Sequence, residues 1–231
     1  VTGNAMLDTH LDQLKALADP GRAEQMAAYH KQTRQVLGVP NPATNDLTKS
    51  WRQSLSLAAR ADLARALWDT DIFEARIAAA KLLTQARIKE DALVWELLQA
   101  WVPEFDSWAI ADHACSAIAK RLQADPARLD TVEAWTQSDR MWTRRAALVA
   151  TLPWAKMNNL KPADQERRER ILGWAVSYVP DRDWFIQKAI GWWLRDLSKH
   201  DAARTAAFLA EHGPGMKAFA RKEAAKYLKN A

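Results

Sequence analysis

The chain has 231 residues, 48% hydrophobic and 26% charged, enough for one sizeable domain with its own core. A formal net charge of +5 and a pI of about 9.4 are a modest basic excess, which favours an anionic polymer as partner without establishing one. One cysteine, Cys115, excludes an internal disulfide framework and a thiolate metal cluster, and no apolar run approaches the roughly 20 residues that span a bilayer.

From the N-terminus, "VTGNA" reads as the remnant of an appended tag, with Met6 the native start and no signal-peptide pattern. Glycine (7) and proline (9) are scarce, and alanine, leucine, arginine, glutamine and glutamate dominate, which favours helix over strand. Pro20, Pro126, Pro162 and Pro180 stand at plausible first helical positions, and Asp71, Ser138 and Asp201 are candidate N-caps. Between these marks the apolar period is helical throughout, which predicts about 12–13 helices in a single domain over 6–231. An aromatic followed three residues on by a base recurs at Phe73/Arg76, Trp142/Arg145, Phe185/Lys188 and Phe219/Lys222, with Trp108/Ala111 an imperfect copy. That period suits an all-α, HEAT-like helical-repeat solenoid (an α-α superhelix) with a concave basic cleft; the bland alternative is a plain bundle with coincidental echoes.

Two stretches carry candidate chemistry. In "EFDSWAIADHACSAIAKRL", Glu104–Leu122, Trp108 and Asp112 are four apart and adjacent on one helix face. The apolar stripe of Ile110, Ala114, Ala117, Ile118 and Leu122 is centred elsewhere. On spacing alone the better reading is the bland one, an exposed aspartate beside an edge-packing tryptophan. In "DWFIQKAIGWWLRDLSK", Asp183–Lys199, helical projection puts Ile186, Ile190, Trp193 and Leu197 on a core stripe. Trp184, Lys188, Trp192, Arg195 and Lys199 fall opposite. Neighbouring tryptophans therefore do different jobs, Trp193 inward and Trp192 outward among cations. Such a face suits a nucleic acid, whose phosphates the bases neutralise and whose flat groups the rings stack on, although packing against another helix pair also accounts for it. His10, His30, His113, His200 and His212 never pair at metal-ligand spacing, so zinc is not expected, and no glycine-rich phosphate loop calls for a cofactor. "QERRER", Gln165–Arg170, reads as a solvated charged face, and Cys115 as a small packing residue with no activating base beside it.

Taken together, "SWAIAD", "WTRRAAL", "WFIQKAIGWWLR" and the flanking "DPGRAEQMAAYHKQ" and "RKEAAKYLKN" resemble the AlkD-type DNA alkylation repair glycosylases over nearly the full chain. The resemblance implies a HEAT-like solenoid that excises cationic N3- and N7-alkylated purines from duplex DNA without a cofactor or a closed base pocket. It makes Asp112 the catalytic carboxylate, Trp108 and Trp192 its aromatic walls and Arg145 the basic residue at the cleft. Tyr29 matches an aromatic near the lesion. Lys188, Arg195, Trp184 and Phe185 would line the DNA-facing surface, to which Arg144, Arg76 and Lys199 are added as further cations. Ala109 departs from the acidic residue that many relatives carry there, and Pro153 from an expected base. The expectation is a cytoplasmic, nucleoid-associated monomer with no membrane partner. A non-catalytic helical-repeat module binding nucleic acid or protein is the alternative.

Overall fold

A computed structural model describes residues 2–229, and among these the regular structure is entirely helical. The chain groups into two compact units, Val1–Ala124 and Asp125–Ala231, where the sequence reading treats 6–231 as one domain. The first holds α1 (Thr2–Lys15), α2 (Pro20–His30), α3 (Asn41–Ser54), α4 (Leu57–Asp69), α5 (Phe73–Leu83), α6 (Ala92–Trp101) and α7 (Trp108–Ala124). The second holds α8 (Leu129–Trp135), α9 (Met141–Val149), α10 (Leu152–Lys156), α11 (Pro162–Tyr178), α12 (Trp184–Ser198), α13 (Ala202–His212) and α14 (Ala218–Ala225). Three short 3-10 turns join them, at Val102–Glu104, Pro126–Arg128 and Gly213–Gly215. None of the described helices is long and apolar enough to cross a membrane.

Helix starts follow local chemistry. Asp19 accepts from the Arg22 N–H with Pro20 in the first turn, and Asp201 accepts from the Arg204 N–H. Pro162 opens α11, and Pro126 opens the 3-10 turn that Asp125 caps. Three sequence expectations are corrected. Pro180 follows the end of α11 instead of starting a helix, because Asp183 caps α12 through the Phe185 N–H at 2.8 Å. Asp71 is not a cap: it sits in the left-handed region at φ 54°, and its carboxylate pairs with Arg34 and Arg76. Ser138 begins the turn before α9, accepting from the Arg140 N–H, while Arg140 occupies the cap position.

Each unit is organised around one enclosed helix. In the first it is α5, flanked by α3, α4 and α7, and its run "FEAR…AAAKLL" is buried on almost every side. Alanine dominates there because neighbours approach on several faces. In the second it is α12, flanked by α9, α10, α11, α13 and α14. Its buried arc contains the expected Ile186, Ile190, Trp193 and Leu197 and extends to Gln187, Gly191 and Asp196. Gln187 is fully used, donating to the Val179 and Asp181 carbonyls at 3.0 and 2.6 Å and accepting from the Lys217 N–H at 2.8 Å. Gly191 is where α14 crosses: a Cβ there would lie 2.9 Å from the Ala220 carbonyl oxygen.

The "QERRER" segment is likewise not a plain solvated face. Arg168 is buried and donates to the Trp154 and Met157 carbonyls, both at 2.7 Å, satisfying the end of α10. Arg170 pairs with Asp130 and Glu133, and Glu169 with Arg204.

Candidate nucleic-acid interface and carboxylate site

In the first unit, Trp108 begins α7 and Asp112 follows one turn later, so the two share a helix face. Both are half-buried, whereas Ile110, Ala114, Ala117, Ile118 and Leu122 form the buried stripe. Asp112 therefore stands at the edge of the core with solvent access, as a reacting carboxylate must. Around Trp108 lies an aromatic cluster. Tyr29 meets it edge-on at 6.0 Å between centroids, and His30 lies tilted against it at 4.8 Å. His30 also touches Phe73 at 4.9 Å. Tyr29 is 72% exposed, a large apolar ring left in solvent beside the carboxylate helix.

The cluster is held by charge. Arg34 reaches both oxygens of Asp106, at 3.0 and 2.6 Å, and donates to Asp71 at 2.9 Å. Asp106 lies two residues before Trp108, and Asp71 two before Phe73, so one guanidinium ties the segment after α2 to the starts of α5 and α7. Burial alone would lower the Arg34 pKa, but its hydrogen bonds to Asp106 and Asp71 raise it. Burial, then the neighbouring His113, hold His30 below the usual histidine range. Burial does the same for His113, against the pull of its hydrogen bond to Ala109. Both imidazoles are thus neutral around pH 7. The sequence does not single out His30 or Arg34 as site residues; the adjacency of His30 to Tyr29 is its only hint.

In the second unit a row of rings runs along the helix starts. Trp142 of α9 lies 4.6 Å from Phe185 of α12, Phe185 lies 5.1 Å from Trp184, and Trp184 stacks on Phe219 of α14 at 5.4 Å and 16°. The aromatic residues of the weak sequence repeat therefore fall at equivalent places, the first or second position of α5, α7, α9, α12 and α14. Trp184 is half-exposed, Trp192 half-buried, and Trp193 wholly buried, as the helical projection requires.

Cations divide into two groups. Lys188 lies 6.0 Å from the Trp184 ring and Lys199 4.6 Å from the Tyr227 ring, and neither has a carboxylate partner among the described residues. The arginines are engaged internally. Arg144 donates to Asp181 at 3.0 Å and to the Ser138 and Asp139 carbonyls. Arg195 pairs with Glu223 and Asp196. Arg145 is buried with its guanidinium 5.5 Å from the Trp142 ring. Arg76 is buried in the first unit, 4.7 Å over Trp68 and paired with Asp71 and Glu104, so the structure does not bring it to a DNA-facing surface.

The family can now be read. A sequence model described as DNA alkylation repair enzyme matches residues 10–228. The chain belongs to that family. Among solved structures, a predicted DNA alkylation repair enzyme from Enterococcus faecalis is 23% identical, with a TM-score of 0.77 over 93% of this chain and 98% of that one. AlkD2 from Streptococcus mutans is 18% identical, with a TM-score of 0.62 over 82% and 91%. These likenesses show a shared all-α helical-repeat fold. No curated protein matches the chain. Within the family, the carboxylate and its aromatic neighbours are the part of this chain whose chemistry has to be accounted for.

Proposed function

We propose that the protein is a DNA N-glycosylase that excises cationic N3- and N7-alkylated purines from duplex DNA. The observation that carries this reading is the half-buried Asp112 one turn from Trp108, flanked by the exposed Tyr29. An ordinary glycosidase needs two carboxylates, one of them an acid for the leaving group. Alkylation at N3 or N7 removes that need, because the charged purine departs as a neutral base. What remains is to stabilise an oxocarbenium-like sugar and orient a water. One carboxylate in a partly desolvated setting does both. The Trp108 face adds cation–π attraction of about 0.5–2 kcal/mol to the same developing charge.

The second unit supplies binding. Trp184, Phe185 and Trp192 offer ring faces, and Lys188 and Lys199 offer charges not committed to carboxylates within the described residues. Arg144, Arg145 and Arg195 act mainly by fixing the helices that present these groups. Free lysines neutralise phosphates and release counterions, which anchors the duplex by its backbone.

The test is release of free 7-methylguanine from methylated duplex, wild type against Asp112→Asn. Wild type at background removes the enzymatic reading and leaves the non-catalytic module. A fully active mutant removes only the role given to Asp112.

A further inference from the structure

Beside Trp108, on the side of α7 that carries Ala109 and His113, the first unit contains a cavity of about 260 Å³ between α2, α3, α5 and α7. It takes no part in the chemistry described above. Phe73, Ile77 and Trp108 give it flat and aliphatic walls. Three lining side chains keep hydrogen-bonding capacity unused within the described residues: His30, whose Nδ1 is buried without a partner, His113 and Asn41. The Nδ1–H of His113 donates to the Ala109 carbonyl at 2.7 Å, which fixes the tautomer and leaves Nε2 as an acceptor. No hydrogen bond within the described residues uses that nitrogen. The exposed side-chain amide of Asn41, at the start of α3, is likewise without a hydrogen bond among the described residues and offers both donors and an acceptor.

Size and charge narrow the occupant. Small-molecule sites typically span about 300–1,000 Å³, so this one suits a single fused ring system and not a nucleotide. No lysine or arginine lines it, so a phosphate would have no counter-charge. The one carboxylate at the wall, Glu74, is engaged by the backbone N–H groups of Leu37, Gly38 and Val39 at 2.8, 2.8 and 3.2 Å. A cationic ligand would find it already satisfied. What fits is planar, uncharged and edged with N–H donors and ring-nitrogen acceptors. An amide reads that edge in pairs, as asparagine does on adenine, and a neutral imidazole accepts one further N–H.

We infer that this cavity is a binding site for a free, uncharged purine base. The inference deepens the proposed function, because excision of an alkylated purine leaves such a base next to Trp108. Excised base held there would act as a product inhibitor.

The experiment has two arms. In the first, adenine and 7-methylguanine are titrated into the full chain at pH 7.5 by calorimetry, with benzimidazole as a ring of similar shape lacking the purine's hydrogen-bonding edge. Saturable purine binding is expected, with benzimidazole at least about tenfold weaker. His113→Phe should weaken purine binding about tenfold, the loss of one hydrogen bond, and Asn41→Ala, which removes a paired contact, by at least as much. Absence of purine binding at millimolar concentration, equal affinity for benzimidazole, or affinity unchanged in both variants overturns the inference. In the second arm, base release from methylated duplex is measured with added 7-methylguanine. Release without purine binding sinks the cavity assignment alone, and purine binding without release sinks the glycosylase reading alone.

Discussion

In the first unit the aromatic cluster around Trp108 is clamped from outside by an ionic device, Arg34 on Asp71 and Asp106. In the second, the row Trp142–Phe185–Trp184–Phe219 is held by ring against ring, with the arginines behind it locked onto carboxylates and carbonyls. On the proposed function, the difference matches what each region would have to do. A carboxylate that stabilises a fleeting charge must be fixed to within a fraction of an ångström, which favours directional hydrogen bonds around it. A surface that grips a phosphate backbone tolerates sliding but must keep some cations unpaired. Lys188 and Lys199 meet that requirement, and the arginines supply rigidity.

The sharpest way to break this comparison is inside α12. Trp193→Ala removes a wholly buried ring and should destabilise the protein by about 3–5 kcal/mol. Trp192→Ala should change the urea midpoint little while weakening duplex binding. Equal effects of the two on stability would mean that the outward face of α12 is core. Next in size is Asp112→Asn, expected to slow single-turnover base release roughly 10²–10³-fold, the loss of one preorganised electrostatic partner, with duplex affinity kept. A parallel loss of affinity would instead make Asp112 a structural residue of α7.

Much of this is legible in the sequence, and the limits have a physical cause. The split between Trp192 and Trp193 needs only the helical period, and the adjacency of Trp108 and Asp112 needs only a four-residue spacing. Both are local. Arg76, Arg144 and Arg195 read as cations for DNA because the carboxylates that hydrogen-bond them most directly are remote in the chain. Their partners Glu104, Asp181 and Glu223 lie 28, 37 and 28 residues away and meet them only through packing of neighbouring helices. Arg168 reads as solvated for the same reason, its acceptors being the Trp154 and Met157 carbonyls at the end of α10. The purine-sized cavity needs four helices to close around it, and no single stretch of chain announces it. Pro180 is a different failure: proline is common just after a helix as well as at its start, and only Asp183 decides which.

A smaller effect separates the free lysines from the engaged arginines. Removing one cation from a phosphate should reduce the slope of log K against log salt by about 0.9. Lys188→Ala and Lys199→Ala together should therefore flatten the salt dependence of duplex binding by about twice that amount. Arg76→Gln, at a buried residue paired with Asp71 and Glu104, should leave the slope unchanged while lowering thermal stability. A slope that falls for Arg76→Gln would return it to the DNA-binding set.

The smallest expected effect is the dependence of the first unit on pH. His30 and His113 are both depressed below their usual value of 6.5, chiefly by burial, with His113 further disfavouring a proton on His30 and Lys81 one on His113. Asp112 pulls His113 the other way, but burial outweighs it. A group whose folded pKa is lowered takes up its proton in the unfolded chain first as pH falls. Stability linked to the two imidazoles is therefore complete above about pH 6.5 and lost as pH drops through and below it. Urea unfolding of wild type should show a declining midpoint from pH 7.5 to 5.5, and His30→Phe, which keeps a ring against Trp108 and Phe73, should flatten that decline. Hydrogen exchange at the start of α7, where His30 and His113 meet Trp108 and Ala109, should accordingly rise as the two imidazoles take up protons. If His30→Phe leaves the decline as steep, the cluster beside Asp112 is not where protons enter, and the contrast between a charge-clamped first unit and a stacked second one loses its titrating half.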